Sequence, residues 1–378
     1  MIYLDYSANT PADESVLNTF IKTEHEFISN PNSNHEGGIK AREKMSRTVE
    51  KTAELLNVLP SEIIFTSGAS EANNTAIKGI ARATRHIGKH IITSPLEHSS
   101  VSGSLTYLQE TGYEIDILKI NSDGKIDLNN LKELLNKNTV LLAITAVDSE
   151  LGVIQPIEEI KEILKEFPDC RLHVDATQAI GKIKFSFDGI DTAAFAPHKF
   201  YGLNGVGVLY KKNKLVLEPL IHGGASTTVY RSGTPALSLA VSAETALNLA
   251  IKNFDKRFEK VQKLNNDLRE FFSGFDCVTI NSPADAVPHI LNISVNGVKA
   301  TVLQRMLSEK GVYVSVKSAC SSDGTPSRAV YEISRSRKNA LSSWRISLSH
   351  LTTDEEISEF KMIFKNYIDE IFKNTEKK

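Results

Sequence analysis

The sequence predicts an α/β fold in which a mainly parallel sheet is covered by helices on both faces. Between residues 62 and 196, short apolar runs alternate with amphipathic stretches of helical period, the pattern of repeated strand–helix units. The runs are continuous rather than alternating in polarity, as strands buried on both faces require. Polar residues also cluster just past the ends of these runs, where such sheets place their ligands.

In chain order, residues 2–11 read as a short extended piece, and residues 13–27 carry apolar side chains at near-helical spacing. The turn-forming loop SNPNSNHEGG (29–38) precedes a charged amphipathic helix over 39–58, and Pro60-Ser61 resets the chain. Ile63 to Thr66 then forms a buried strand, Gly68 a turn, and Ser70-Glu71 the start of a helix. That start offers free N–H groups and a positive dipole end, so it is a candidate phosphate cradle. The alternation continues with strands at 90–94, 113–120, 139–147, 171–176 and 192–196, and helices at 100–112, 128–136 and 157–167. A long helical stretch over 237–272 leads to a second unit with strands at 277–280 and 290–295. Residues 318–343 form a polar, arginine-rich interval, and 353–372 an amphipathic helix.

At 378 residues the chain has room for two domains, and a 41% hydrophobic content with a formal charge of -2 describes an ordinary soluble protein with no nucleic-acid partner. MIYLDYSANTP has neither the basic flank nor the apolar core of a signal peptide or anchor, and no apolar run is long enough to cross a bilayer. The expected location is the cytoplasm. Cys170, Cys277 and Cys320 are too scattered for a disulfide framework, and the ten histidines show no metal-ligand spacing, so no metal is expected.

The stretch Ala194 to Tyr210 sets Lys199 between an apolar run and a glycine-rich turn. A loop lysine alone is more often a solvated surface charge. Asp175 ends the preceding apolar strand, where by itself an aspartate is more often a helix cap. Together they fit an aspartate holding a pyridinium N–H while a lysine forms a Schiff base with pyridoxal 5'-phosphate.

At this point the chain resembles the cysteine desulfurases, class V aminotransferase-type enzymes of fold type I, through nearly its whole length. The motifs are LDYSANTP, SNPNSNHEGG, EIIFTSGASEANN, IITSPLEH, ELGVIQPI, HVDATQAIGK, PHKFYGLNGVGVLY, RSGT, SACSS and WRISLSHLTTDEE. Each is modest, but their order and spacing are specific. The resemblance implies a large domain over residues 12–255 with a mainly parallel seven-stranded sheet. It implies a smaller α+β domain over 256–378 that also takes in residues 1–11.

By that resemblance, Lys199 is the Schiff-base lysine, Asp175 the pyridine-nitrogen partner, and Gln178 the contact of the phenolic oxygen. His98 stacks on the ring and assists proton transfer at the substrate sulfur. Ser70, His198 and the N–H groups around Ala69 bind phosphate, and Thr234 reaches it from the other subunit of a homodimer. Arg345 clamps the substrate carboxylate with its bidentate fork. Cys320 lies in SACSSDGTPSRAV, which has too few apolar residues for a packed element, so a mobile loop is expected. Its 25-residue separation from Arg345 is similar to the long-loop group of the family. The implied activity takes sulfur from L-cysteine onto Cys320 as a persulfide, leaves L-alanine, and passes the sulfur to an acceptor protein of iron–sulfur assembly or tRNA thiolation.

The chain also departs from the pattern. Asp148 stands where the family usually has asparagine beside the phenolic oxygen and substrate, a repulsive arrangement unless the carboxyl is protonated, turned away or neutralised. Ala196 replaces a phosphate-binding serine. These departures leave two other readings. One is a selenocysteine lyase or another cysteine or cystine lyase. The other is a weakly catalytic homologue that binds a sulfur-relay partner.

Overall fold

The computed structural model describes residues 1–316 and 325–375. The strands are β1 (Ile2–Tyr3), β2 (Ile63–Thr66), β3 (His90–Thr93), β4 (Glu114–Ile117), β5 (Thr139–Thr145), β6 (Arg171–Asp175), β7 (Thr192–Phe195), β8 (Gly207–Lys211), β9 (Val278–Ile280), β10 (Ile290–Val295), β11 (Val312–Tyr313) and β12 (Ser343–Ser347). The α-helices are α1 (Glu14–Glu26), α2 (Glu36–Leu56), α3 (Ala69–Ala83), α4 (Ser99–Glu110), α5 (Leu128–Leu134), α6 (Ile157–Leu164), α7 (Leu237–Lys252), α8 (Phe254–Ser273), α9 (Ala300–Glu309), α10 (Arg328–Ser334), α11 (Arg337–Ser342) and α12 (Asp354–Thr375).

A seven-stranded sheet runs in the order β2-β8-β7-β6-β5-β3-β4. Only β8 opposes its neighbours, pairing antiparallel with β2 and β7. The apolar runs are continuous because helices cover both faces. Leu142 and Ile144 of β5 enter one core with Ile92, whereas Leu141 and Ala143 enter another with Ile91. Successive side chains of a strand point to opposite faces, so both sets must be apolar. With β8 alone reversed, the carboxyl ends of β2, β3, β5, β6 and β7 share one edge.

A further core joins Ile2 and Leu4 to Val261, Leu268, Trp344, Ile346 and Phe360. Around it lie the three-stranded antiparallel sheet β12-β10-β9 and the parallel pair of β1 with β11.

Two elements differ from the sequence reading. The single helical stretch over 237–272 breaks at Asn253, which leaves helical geometry at φ -104° and ψ 10° while its backbone N–H and its side-chain amide both donate to the Leu249 carbonyl, at 3.1 and 2.9 Å. The polar interval after residue 324 is not irregular throughout: α10 and α11 form there and bury Ala329, Val330 and Ala340, with Ser327 and Ser336 as N-caps. A few small apolar side chains and two hydroxyl caps suffice for such short helices.

Candidate active site

The shared strand edge opens into a cleft of about 410 Å³ lined by Ala69, Ser70, His98, Asp175, Gln178, His198, Lys199 and Arg345. Asp148 is not part of this lining but borders an adjoining cavity. Thr234 is exposed and also lies outside the lining. Cys320 lies outside the described residues.

Helix α3 begins at Ala69, one residue before the expected start, and Gly68 gives it no side-chain cap. Its first-turn N–H groups are therefore left for another acceptor. Gly207 of β8 lies against this turn, where a Cβ would come within 2.3 Å of the Gly68 carbonyl carbon. Only glycine permits that approach. Glu71 holds the turn from within, accepting the Ser67 N–H at 2.7 Å and Nε of Arg231 at 3.0 Å.

Lys199 closes a short 3-10 turn, and its Nζ donates to the carbonyls of Ser7 at 2.9 Å and Ala8 at 2.6 Å. Two residues on, Tyr201 adopts a φ of 71°, a left-handed conformation costing a non-glycine residue roughly 1–2 kcal/mol. Three contacts offset it. The Tyr201 N–H donates to Thr10 Oγ1 at 2.7 Å, its hydroxyl meets Ser349 Oγ at 2.6 Å, and Arg257 lies 4.9 Å from the ring centroid.

Asp175 accepts the Thr177 N–H at 3.0 Å and Asn73 Nδ2 at 2.8 Å. Gln178 donates through Nε2 to the Ser7 carbonyl at 3.0 Å, while its Oε1 accepts from Lys182. Burial, followed by the charges of Lys199 and Arg345, holds the Lys182 amine well below its ordinary range. His98 is pulled down by burial, against the charge of Asp175, and His198 falls to about 4 through burial and the neighbouring Lys199 and Lys182. Both shifts favour the neutral form of the ring.

Arg345 is only 2% exposed. Its Nη1 donates to the Ser149 carbonyl at 2.7 Å and its Nη2 to Asp5 Oδ1 at 2.9 Å. Asp148 is turned away from the cleft, one Oδ accepting the N–H groups of Glu150 (3.1 Å) and Leu151. Burial and the charge of Glu150 push its carboxyl up to about 7. Glu97 is pushed to about 8 by burial, and its Oε1 accepts from Ser94 Oγ at 2.6 Å and the Thr145 N–H at 2.9 Å. Burial raises the Cys170 thiol to about 12 and also raises Cys277, so neither is a ready thiolate near neutral pH.

Sequence reasoning did not find Asp5, Asn73 or Ser100, or the carbonyls of Ser7 and Ala8. LDYSANTP and SGASEANN marked the segments, but no residue type signals that a carbonyl will receive a lysine.

The cleft fits a phosphorylated pyridine aldehyde. It offers an amine, a carboxylate and an open helix start, and three residues of its lining carry buried polar atoms with no partner among the described residues: Ser7 Oγ, Thr177 Oγ1 and Arg345 Nε. Such atoms are costly unless a ligand or water satisfies them.

The sequence pattern of the class-V aminotransferases matches residues 2–360. A NifS/IcsS protein homolog of Lactobacillus delbrueckii subsp. bulgaricus is 36% identical, with 100% of this chain and 98% of the relative covered. The cysteine desulfurase IscS of Pseudoalteromonas translucida is 38% identical over 97% of this chain and 92% of its own length. Among solved structures, a NifS-like protein superposes with a TM-score of 0.92 at 33% identity, covering 97% of this chain and 99% of that one. SspA in complex with cysteine superposes with a TM-score of 0.82 at 31% identity, covering 93% and 100%. The chain therefore belongs to the class-V aminotransferase family, among its NifS- and IscS-type cysteine desulfurases.

Proposed function

We propose that the chain is a pyridoxal-phosphate-dependent cysteine desulfurase, taking sulfur from L-cysteine to leave L-alanine and a persulfide on Cys320. The observation that carries this reading is the convergence of Lys199, Asp175 and Arg345 on one cleft. An amine, a buried carboxylate and a bidentate cation together suit an α-amino acid held against a pyridine cofactor.

The first turn of α3, with Ala69, Ser70 and His198, would hold the phosphate. Asp175 would keep the pyridine nitrogen protonated, Gln178 would meet the phenolic oxygen, and Lys199 would hold the aldehyde. When bound, pyridoxal phosphate supplies an electron sink for a carbanion at the amino acid's α carbon. Arg345 orients the substrate carboxylate, and Lys199 Nζ takes the α proton once released from the aldehyde. The Cys320 thiolate would then take the substrate sulfur, forming an S–S bond as the C–S bond breaks, and the electron pair left on the β carbon would take up a proton to give the methyl group of alanine. Asp148 does not oppose this arrangement, because its carboxyl is turned to backbone N–H groups and burial favours its protonated form. The same proposal includes a homodimer in which the exposed Thr234 completes the partner's phosphate site, and an acceptor protein of iron–sulfur assembly or tRNA thiolation.

The test is to incubate purified protein and pyridoxal phosphate with L-cysteine and to measure alanine and the Cys320 persulfide. Lys199→Ala is expected to lose both products, and Cys320→Ser to lose the persulfide while keeping the cofactor absorbance. Normal sulfide release from Cys320→Ser would overturn the assignment.

A further inference from the structure

A chain of hydrogen bonds runs behind the cleft from β7 to α4. Thr192 Oγ1 meets His173 Nδ1 at 2.9 Å, and His173 Nε2 meets Asn73 Oδ1 at 3.0 Å. Asn73 Nδ2 donates to Asp175 Oδ2 at 2.8 Å and to Ser100 Oγ at 2.9 Å. Ser100 Oγ then meets His98 Nδ1 at 2.8 Å, and the Ser100 N–H donates to the same nitrogen at 3.2 Å. Asn73 is fully buried, so it has no water to exchange these partners for.

One consistent set of donors and acceptors satisfies this chain. A carboxylate only accepts, so the Asn73 atom facing Asp175 is the amide nitrogen. The same NH2 group faces Ser100 and uses that oxygen as an acceptor, which leaves the Ser100 hydroxyl proton for His98. His98 Nδ1 thus receives two donors, the hydroxyl and the Ser100 N–H, and must carry a lone pair. A ring whose Nδ1 keeps its lone pair carries its proton on Nε2. At the far end, Asn73 Oδ1 requires a proton on His173 Nε2, so Nδ1 of that neutral ring accepts from Thr192.

We infer that Asn73 and Ser100 are positioning residues that lock His98 in the Nε2–H tautomer, so that this histidine meets the substrate as a hydrogen-bond donor. The consequence rests on the desulfurase reading only for the identity of the group that receives the bond. A ring whose lone pair is occupied by Ser100 has no free nitrogen to take a proton from a substrate thiol. It presents an N–H to a sulfur that offers a lone pair, favouring the thiolate over the thiol. Through Asn73, the same amide also fixes the Asp175 carboxylate, tying the pyridine partner and His98 to one side chain of α3.

The tautomer is measured directly in full-length protein labelled with 15N-histidine and loaded with pyridoxal phosphate. The His98 signals are assigned by their disappearance in His98→Gln. Near neutral pH the expected spectrum shows an unprotonated Nδ1 and a protonated Nε2. In Asn73→Asp the donor amide is lost and the Ser100 hydroxyl turns to the new carboxylate. The His98 Nδ1 resonance should then shift toward the protonated position, as the proton moves there or the ring takes a second one. Ser100→Ala removes the hydroxyl donor and leaves the Ser100 N–H as the remaining donor to Nδ1, so a smaller shift of the same resonance toward the protonated position is expected, and this variant serves if Asn73→Asp does not fold. A proton on Nδ1 in the wild type, or a His98 spectrum unchanged in the variant that folds, overturns the inference. The readout requires no turnover, so it stands apart from the alanine and persulfide assay.

Discussion

Asp148→Asn is expected to stabilise the protein, and to do so only above a definable pH. One Oδ of Asp148 accepts two N–H groups, from Glu150 and Leu151, which a single asparagine Oδ1 can also do. The substitution therefore keeps the turn and removes the titration. Burial and the Glu150 charge raise this carboxyl from 3.8 to about 7 in the folded chain. A group whose folded pKa is raised favours folding while protonated in both states, and loses that contribution as pH climbs from the unfolded to the folded value. At about 1.36 kcal/mol per pH unit, the wild type forfeits about 2 kcal/mol by pH 5 and about 4 kcal/mol above pH 7. Urea denaturation of both proteins at half-unit steps from about pH 4 to 9 should give a stability gap in favour of the asparagine variant that widens to about pH 7 and then levels. A gap that stays flat across this range, or a wild type as stable as the variant at pH 8, would refute the reasoning, because it would mean that the carboxyl ionises as readily in the folded chain as in the unfolded one.

Two further outcomes follow from the geometry. Asp5→Asn removes the charge that holds Arg345 Nη2 at 2.9 Å, in a site where breaking such a pair costs about 3–5 kcal/mol in total. Steady-state kinetics should show KM for L-cysteine rising roughly tenfold or more with a smaller change in kcat, and an unchanged KM would mean that Arg345 is held without Asp5. Gly207→Ala places a methyl 2.3 Å from the Gly68 carbonyl carbon, so the first turn of α3 must move. Absorbance titration should show pyridoxal phosphate binding weaker by about tenfold or more, equivalent to about 1.4 kcal/mol, and affinity within about twofold of wild type would exclude that turn from the phosphate site.

The sheet and the main residues lining the cleft were legible because both signals are local. A continuous apolar run announces a buried strand, and the polar residue that follows it must lie on the ligand edge. Ser70, His98, Asp175 and Lys199 each stand just past such a run. Asn73 carries no comparable mark: it sits inside an amphipathic helix, and its partner His173 is 100 positions away. The break at Asn253 was hidden because α7 and α8 continue the same helical period, and a backbone turn at one residue separates them. Helices α10 and α11 were missed because composition counts apolar residues, whereas Ser327 stabilises its helix through one cap to the Val330 N–H.

The least legible part is the N-terminal segment, which read only as a short extended piece. Its backbone gives Ser7 and Ala8 carbonyls to Lys199, and the Ser7 carbonyl also to Gln178. Its Asp5 side chain holds Arg345 and accepts from Ser315 Oγ, while Thr10 Oγ1 receives the strained Tyr201 N–H. The two ends of the same segment are anchored differently. Leu4 packs in the core of the C-terminal strands, and Thr10 donates to the His198 carbonyl beside Lys199. A displacement of these few residues would therefore disturb Lys199 and Arg345 together, although one lies in the turn after β7 of the large sheet and the other in β12 of the small one. The spacing of Lys199 and Arg345 is thus tied to one backbone segment that bonds both, rather than to either sheet alone.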